Sequence, residues 1–386
     1  MRSIYFDHSG TTPVHPAVAE EMYRYLTGDN FGNPSSVHHF GLQICKKVTE
    51  ARNKVAQALG ASPSEIVFTS GGTESDNLAI HGAAHTNKKR GNHIITCAVE
   101  HHAVLNTVKA LGKEGFDITI LPVDRYGMVS VDDVAAAITD KTILITIMHA
   151  NNEVGTINPI AEIGKLAREK KIIFHVDAVQ SFGKIPVNVD ELGVDLLSIS
   201  GHKIYGPKGV GALYVRKGSR WKQTLFHGGA QEHLCRAGTE NIPGIMGLAK
   251  AVELAMENRE AESARLMVLR DKIIKGLTAI DHVTLTGHPT QRLPNHASFL
   301  FKYIEGESML LGLDLKGIAA STGSACTSGS LEPSHVLIAM GIPHAEAHGS
   351  LRLTLGKDNT EDDVDYFLEA IKPIVEKLRA MSPLKD

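Results

Sequence analysis

LLSISGHKIYGPKGVGALYV, residues 196–215, is the stretch of this chain that decides the fold. It begins with an apolar run, passes through Ser200-Gly201-His202-Lys203 and a Gly/Pro-rich loop, and ends with a second β-branched run. The pattern predicts two strands with one lysine at the turn between them. A lysine beside hydroxyl and imidazole groups can form a Schiff base with a carbonyl cofactor. Taken alone, the segment favours a solvated hairpin lysine, so the remaining strands must decide between these interpretations.

Further strands alternate with helices before this stretch. They are predicted at 65–69, 93–98, 117–121, 142–148 and 172–176. Such alternation predicts a three-layer α/β sandwich, in which helices cover both faces of a mostly parallel sheet. A long helical pattern at 245–277 and mixed strands and helices from residue 283 predict a smaller α+β domain. At 386 residues two domains are expected: a large one over 14–258, and a small one that combines 1–13 with 259–386.

Polar clusters follow five of the predicted strands directly. They are Gly71-Gly72-Thr73, Glu100-His101-His102, His149-Ala150-Asn151-Asn152-Glu153, Asp177-Ala178-Val179-Gln180 and Ser200-Gly201-His202-Lys203. Ligands of parallel α/β sheets bind at the carboxyl ends of the strands, so these five clusters are expected to share one edge. This convergence reverses the interpretation of Lys203 and favours a cofactor site.

The residue types at this edge fit the ring of pyridoxal 5′-phosphate (PLP). Asp177 ends an apolar strand, where a carboxylate is costly unless it is paired. Beside a pyridine nitrogen it would keep the ring protonated and strengthen the electron sink. Gln180 can donate to the phenolic oxygen of the ring, and His101 or His102 can lie against its face.

A phosphate site is predicted at the same edge. The strand, glycine turn and helix start at 65–80 leave backbone N–H groups free, and the helix dipole attracts an anion. Thr73, Ser200 and His202 can add side-chain donors. The stretch matches neither GxGxxG nor GxxxxGK[ST], so a single phosphate is favoured over a dinucleotide. An ordinary capped helix is an equally good interpretation of the glycine turn by itself.

Composition excludes several other classes of protein. The net charge of −3 gives no support for nucleic-acid binding, and no apolar run is long enough to span a bilayer. Four cysteines without CxxC spacing argue against a disulfide framework and a zinc knuckle. The twenty histidines show no HExxH pattern, so no intrinsic metal is expected. The amino terminus lacks an apolar signal stretch, and a reducing cytoplasm is the expected location.

Long motifs identify a family resemblance over residues 5–352. They are FGNPSSVHHFG, FTSGGTESDNLAI, VEHHAVL, HANNEVGT, HVDAVQSFGKIP, SGHKIYGPKGVGALYVR, RAGTENIPGIMG and GSACTSGSLEPSHVL. The chain resembles cysteine desulfurases of the NifS/IscS type, within the class V aminotransferase superfamily of PLP fold type I.

The resemblance implies a role for each candidate residue. Lys203 would be the Schiff-base lysine, and Cys326 the nucleophile. Cofactor contacts would come from Gly72, Thr73, His101, Asn152, Asp177, Gln180, Ser200 and His202, with His101 stacked on the ring as a candidate acid/base. Asn152 and Arg352 would hold the substrate carboxylate. Thr239 would reach the phosphate of the neighbouring subunit, which implies a homodimer.

The implied reaction converts L-cysteine to L-alanine and leaves the sulfur on Cys326 as a persulfide. An iron–sulfur scaffold or another acceptor protein would then receive it, and Cys326 can transiently share a cluster with such a scaffold. Selenocysteine lyase or another class V PLP activity is the alternative. A sulfur-carrier or scaffold-binding protein without turnover is disfavoured, because Lys203 is present. No nucleic-acid or membrane partner is expected.

Three departures from the family pattern stand out. His8-Ser9-Gly10 replaces the usual Asn-Ala-Ala near the amino terminus, and packing is the simpler interpretation of His8. Cys235 lies in an altered stretch and is expected to be incidental. The chain ends shortly after its last predicted helix, which puts scaffold recognition in doubt but leaves catalysis untouched.

Overall fold

The computed structural model describes residues 2–222, 225–323 and 332–383. Its strands are β1 (Ile4–Tyr5), β2 (Ile66–Thr69), β3 (His93–Cys97), β4 (Asp117–Leu121), β5 (Thr142–Thr146), β6 (Ile173–Asp177), β7 (Leu196–Ser200), β8 (Gly211–Val215), β9 (Val283–Thr286), β10 (His296–Phe301), β11 (Ile318–Ala319) and β12 (Ser350–Thr354). Its helices are α1 (Pro16–Tyr23), α2 (His39–Leu59), α3 (Gly72–Asn87), α4 (His102–Lys113), α5 (Val131–Ala137), α6 (Ile160–Lys170), α7 (Ile242–Thr278), α8 (Gly306–Asp314), α9 (His335–Ala339), α10 (His344–Ala347) and α11 (Glu361–Met381).

The central sheet has seven strands in the order β2-β8-β7-β6-β5-β3-β4. Every neighbouring pair from β7 to β4 is parallel, whereas β8 runs antiparallel to both β7 and β2. Residues 196–215 therefore form a β7–β8 hairpin, with Lys203 at the end of a short 3₁₀ turn after β7. The mostly parallel α/β sheet predicted from the sequence is confirmed.

Side chains alternate between the two faces of this sheet. In β7, Leu196 packs with α3 and α4 residues such as Leu78 and Val104, while Leu197 packs on the opposite face with α2 and α7. Successive residues of a strand point to opposite faces, and helices cover both. The near-continuous apolar runs of these strands are typical of a sheet that is buried on both sides.

A second apolar core surrounds the three-stranded antiparallel sheet β12-β10-β9. β1 joins this core by pairing in parallel with β11. The 37-residue helix α7 contacts both cores: Leu248 is buried in the large one, and Ile273 in the small one. The boundaries between the two domains stay a prediction: a large domain over 14–258, and a small one that combines 1–13 with 259–386.

Local signals explain several helix ends. Gly60 ends α2 in the left-handed region, at φ 70°, where glycine has no steric penalty. Thr360 and Asp363 form a capping box at the start of α11. Across the described ranges, no helix combines the length and apolarity that a membrane span requires.

Candidate functional site

A cavity of about 240 Å³ opens at the carboxyl ends of the parallel strands. It is lined by ten of the twelve residues singled out above: Gly72, Thr73, His101, Asn152, Asp177, Gln180, Ser200, His202, Lys203 and Arg352. Ser9, Gly10, Asp76, Met148 and Val179 complete the lining. The structure thus brings residues from all five polar clusters to one cavity, together with Arg352, which was predicted from the family resemblance. Their individual roles stay predictions.

Lys203 is held by the amino-terminal arm that follows β1. Its Nζ donates hydrogen bonds to the carbonyl oxygens of Ser9, at 2.5 Å, and of Gly10, at 2.7 Å. Gln180 Nε2 donates to the same Ser9 oxygen at 3.0 Å. The arm thus fixes the lysine and the amide side by side. Sequence reasoning missed Ser9 and Gly10, because backbone carbonyls leave no side-chain signal.

Asp177 is a buried carboxyl group at the end of β6. Burial raises its pKa to about 6, although the backbone N–H of Val179 and the ammonium of Lys203 act in the opposite direction. Its Oδ1 accepts the Val179 N–H at 2.9 Å. Among the described residues, the buried Gln180 Oε1 has no hydrogen-bond partner. A ring with a protonated nitrogen and a polar substituent would supply partners for both groups.

His101 caps the amino terminus of α4. Its Nδ1 accepts the backbone N–H of Ala103 at 3.1 Å, so the neutral ring carries its proton on Nε2. Burial, reinforced by the nearby Lys203, lowers the pKa of His101 to about 4. At neutral pH this side chain is therefore an uncharged ring suited to lie against a flat ligand.

The start of α3 forms a compact anion cradle. Gly71 has φ 149°, which directs the first N–H groups of the helix toward the cavity edge. A Cβ at Gly72 would lie 2.7 Å from Val179 Cγ2, so the absence of a side chain there keeps the cradle open. Burial, with a smaller effect of Lys203, lowers the pKa of His202 to about 4. Neutral donors and helix N–H groups of this kind fit the phosphate of PLP.

Arg352 approaches the cavity from β12 in the smaller core. Its Nη2 lies 2.6 Å from Asp7 Oδ1, and its Nη1 donates to the Asn152 carbonyl at 3.0 Å. The buried Arg352 Nε has no partner within the described ranges. The guanidinium is thus held in place with donor capacity left for a carboxylate. Asp7 was missed, because its partner is 345 residues away in the sequence.

A second polar layer lies beneath the cavity. Asp76 is buried, with its Oδ1 3.6 Å from His175 Nε2, and His175 also contacts Ser198 Oγ at 3.0 Å. Burial and the nearby Asp177 raise the pKa of Asp76 well above its usual range, and burial lowers the pKa of His175 to about 3. Burial therefore favours the uncharged forms of both groups. Asp76 was not predicted from the sequence. The feature that could have identified it is an acidic residue in the second turn of α3.

His102, the alternative to His101, begins α4 and does not line the cavity; its ring centroid lies 4.5 Å from that of His335. Thr239 also lies elsewhere. It is exposed and lines a separate cavity of about 130 Å³, together with Arg236 and Glu240. Cys326 lies outside the described residues. The residues that flank its segment are anchored close to the main cavity. Ser321 pairs with Arg352, and Ser334 Oγ donates to Glu153, next to Asn152.

Comparisons with known proteins agree with this geometry. The family profile described as Aminotransferase class-V matches residues 4–367. A cysteine desulfurase IscS from Methanosarcina thermophila is 58% identical over 383 residues, which cover 99% of this chain and 94% of that relative. A solved structure of a NifS-like protein has a TM-score of 0.92 and 41% identity, covering 97% of this chain and 100% of its own.

A second solved structure, of SspA in complex with cysteine, has a TM-score of 0.81 and 40% identity over 92% of this chain and 99% of its own. These matches extend over both apolar cores and include the strands that line the cavity. They also confirm the predicted resemblance and the fold type. The chain therefore belongs to the class-V aminotransferase family and, within it, to the cysteine desulfurases of the NifS/IscS type.

Proposed function

We propose that this protein is a PLP-dependent cysteine desulfurase that converts L-cysteine to L-alanine and retains the sulfur on Cys326 as a persulfide. The observation that carries the proposal is the meeting of Lys203, Asp177 and Arg352 at one cavity. The anchoring of Ser321 and Ser334 beside that cavity supports a role for the segment between them.

Each side chain has a task that follows from its position. PLP, when bound, supplies an electron sink that acidifies the Cα proton of an attached amino acid. Asp177 would keep the proton on the ring nitrogen, the Gly72–Thr73 cradle would bind the phosphate, and Lys203 Nζ would accept the Cα proton. Arg352 binds the substrate carboxylate through two N–H groups, which orients the Cβ–S bond.

Sulfur transfer is then a displacement at sulfur. The thiolate of Cys326 attacks the substrate sulfur, so that an S–S bond forms while the Cβ–S bond breaks and its electron pair remains with the amino-acid carbon. A proton on Cβ completes alanine. A reducing, cytoplasmic location would keep Cys326 available as a thiol between turnovers.

The direct test measures alanine and sulfide released from L-cysteine by the holoenzyme in the presence of a thiol reductant. Cys326→Ser should lower sulfide release by at least a hundredfold while the protein keeps its bound PLP. Cys235→Ser is the matched control and should retain the parental rate. A Cys326→Ser variant that desulfurates cysteine at the parental rate would contradict the nucleophile assignment, and a fully active Lys203→Ala variant would contradict the cofactor assignment.

We also propose that the active form is a homodimer, in which Thr239 serves the phosphate of the neighbouring subunit. Its exposed position in a separate cavity supports this arrangement. Large apolar side chains exposed on the same chain, including Phe31, Val37 and Leu234, supply surface that association can bury. The persulfide would pass to an iron–sulfur scaffold or another acceptor, which persulfide-transfer assays with candidate acceptor proteins would identify.

A further inference from the structure

Three potential metal ligands converge at the ends of α3 and α4 that lie away from the cavity. His81 and His85 are four residues apart in α3, so they share one face of the helix. Glu114 directly follows α4. Each residue contributes one ligand atom, and these three atoms all lie within 4.8 Å of one another.

The spacing matches what a small divalent cation requires. In a tetrahedral zinc site with bonds of about 2.0–2.1 Å, neighbouring ligand atoms are roughly 3.3–3.4 Å apart. His85 Nε2 lies 3.3 Å from Glu114 Oε2. The rings of His81 and His85 are nearly parallel, with planes 15° apart and centroids 5.8 Å apart. Because the lone pairs lie in the ring planes, the two imidazoles reach a shared ion after their side chains rotate.

Neighbouring side chains hold the cluster in this orientation. The Phe116 ring meets the His85 ring edge-on, with centroids 5.7 Å apart, and the Lys88 ammonium lies 5.1 Å from the centroid of the Phe116 ring. His81 and His85 are half-buried, whereas Glu114 is exposed.

We propose that His81, His85 and Glu114 form a binding site for a divalent transition-metal ion, with Zn²⁺ as the best match. Two imidazoles and one carboxylate suit Zn²⁺, and the exposed side leaves the fourth position to water. The ion would bridge α3 and α4, roughly 18 Å along α3 from Thr73 at 1.5 Å per residue. Its effect is therefore on the packing of these helices and not on the reacting atoms. Residues 81–85 read HGAAH and lack the glutamate of HExxH, and the third ligand lies 29 residues after His85.

Equilibrium dialysis of the PLP-loaded enzyme against Zn²⁺ tests this proposal. The measurements are made in the Cys326→Ser background, so that this predicted nucleophilic thiol does not compete for the ion. One Zn²⁺ should bind per chain, and thermal unfolding should shift to higher temperature as Zn²⁺ is added. His85→Gln should weaken binding by about a hundredfold, and Glu114→Gln by about tenfold.

The matched control is His344→Gln. It disrupts another pair of histidines four residues apart, His344 and His348, whose ring centroids are 4.9 Å apart. This control should bind Zn²⁺ like its parent. Co²⁺ in place of Zn²⁺ should give a difference spectrum without a sulfur-to-metal band. Equal Zn²⁺ binding by His85→Gln and its parent, or a cobalt spectrum dominated by thiolate, would overturn the proposal.

Discussion

His149 illustrates how burial sets the charge state of single residues near the cavity. It follows β5, and burial alone lowers its pKa to about 4. Its Nδ1 has no hydrogen-bond partner among the described residues. The folded protein therefore holds this ring neutral at pH values where an unfolded chain would already protonate it.

This difference makes part of the stability depend on pH. Between pH 6.5 and about 4 the unfolded chain binds more protons at His149, so the stability contributed by this group falls as the pH falls. The difference in unfolding free energy between the parent and His149→Gln should shrink by about 2 kcal/mol from pH 7 to pH 5, at 1.36 kcal/mol per pK unit. Denaturant unfolding at both pH values measures it.

A difference for His149→Gln that stays constant over this range would show that the folded protein tolerates the charged ring.

Residues whose position is fixed by the strand they follow could be predicted from the sequence. Residues that are positioned by contacts with a distant segment could not. Asp177 and Lys203 each follow an apolar run directly, and a parallel sheet brings such positions to one edge. Asp7 and Ser9 owe their positions to partners 345 and 194 residues away. Patterns within a short window contain no information about these partners.

At the scale of elements, the turn between β2 and α3 depends on a glycine. Gly71 has φ 149° and ψ −174°, a conformation that residues with a Cβ rarely adopt. It allows α3 to begin directly behind the strand, with its first N–H groups at the cavity. The anion cradle is therefore a property of the whole strand–turn–helix unit.

Gly71→Ala should strain this turn and tilt the start of α3. The expected cost is about 1–3 kcal/mol of stability, together with faster loss of PLP during dialysis. Gly218→Ala is the control, because Gly218 also has positive φ, at 83°, but a Cβ there would meet nothing within 4 Å. Similar destabilisation in both variants with PLP loss only in Gly71→Ala is the expected result. Unchanged PLP retention in Gly71→Ala would argue against the cradle.

Element boundaries followed from the sequence where local signals were strong. The predicted strand at 117–121 agrees with β4. Helix α7 begins three residues before the predicted 245, because the Asn241 side chain accepts the Gly244 N–H and caps the helix there. The antiparallel direction of β8 follows from its hairpin with β7, whereas its pairing with β2 was not predicted, because periodicity alone does not identify neighbours that are distant in the sequence.

For the whole molecule, the proposed sharing of Thr239 between subunits leads to a complementation experiment. Lys203→Ala should be inactive, and Thr239→Val should lose roughly tenfold in activity at limiting PLP, because one hydrogen bond to a charged phosphate is removed. A purified heterodimer of the two variants contains one site with Lys203 and the unmodified Thr239 of the other chain. It should recover about half of the parental activity.

The heterodimer is separated from the homodimers by two different affinity tags. If Thr239 acted within its own chain, neither site of the heterodimer would be complete. Its activity would then be no more than half that of the Thr239→Val homodimer. Sulfide release measured on the separated species distinguishes these outcomes.

The pairing of β1 with β11 also has a consequence for how the protein is made. Asp7 contacts Arg352 across 345 residues, and at 5–20 residues per second a ribosome needs roughly 20–70 s to translate that interval. The large sheet can form earlier in synthesis, but the partners of the amino-terminal arm in β11 and β12 do not yet exist. The pairing of β1 with β11 and the contact of Asp7 with Arg352 therefore form only near the end of synthesis, so the first residues to be translated make some of their contacts last.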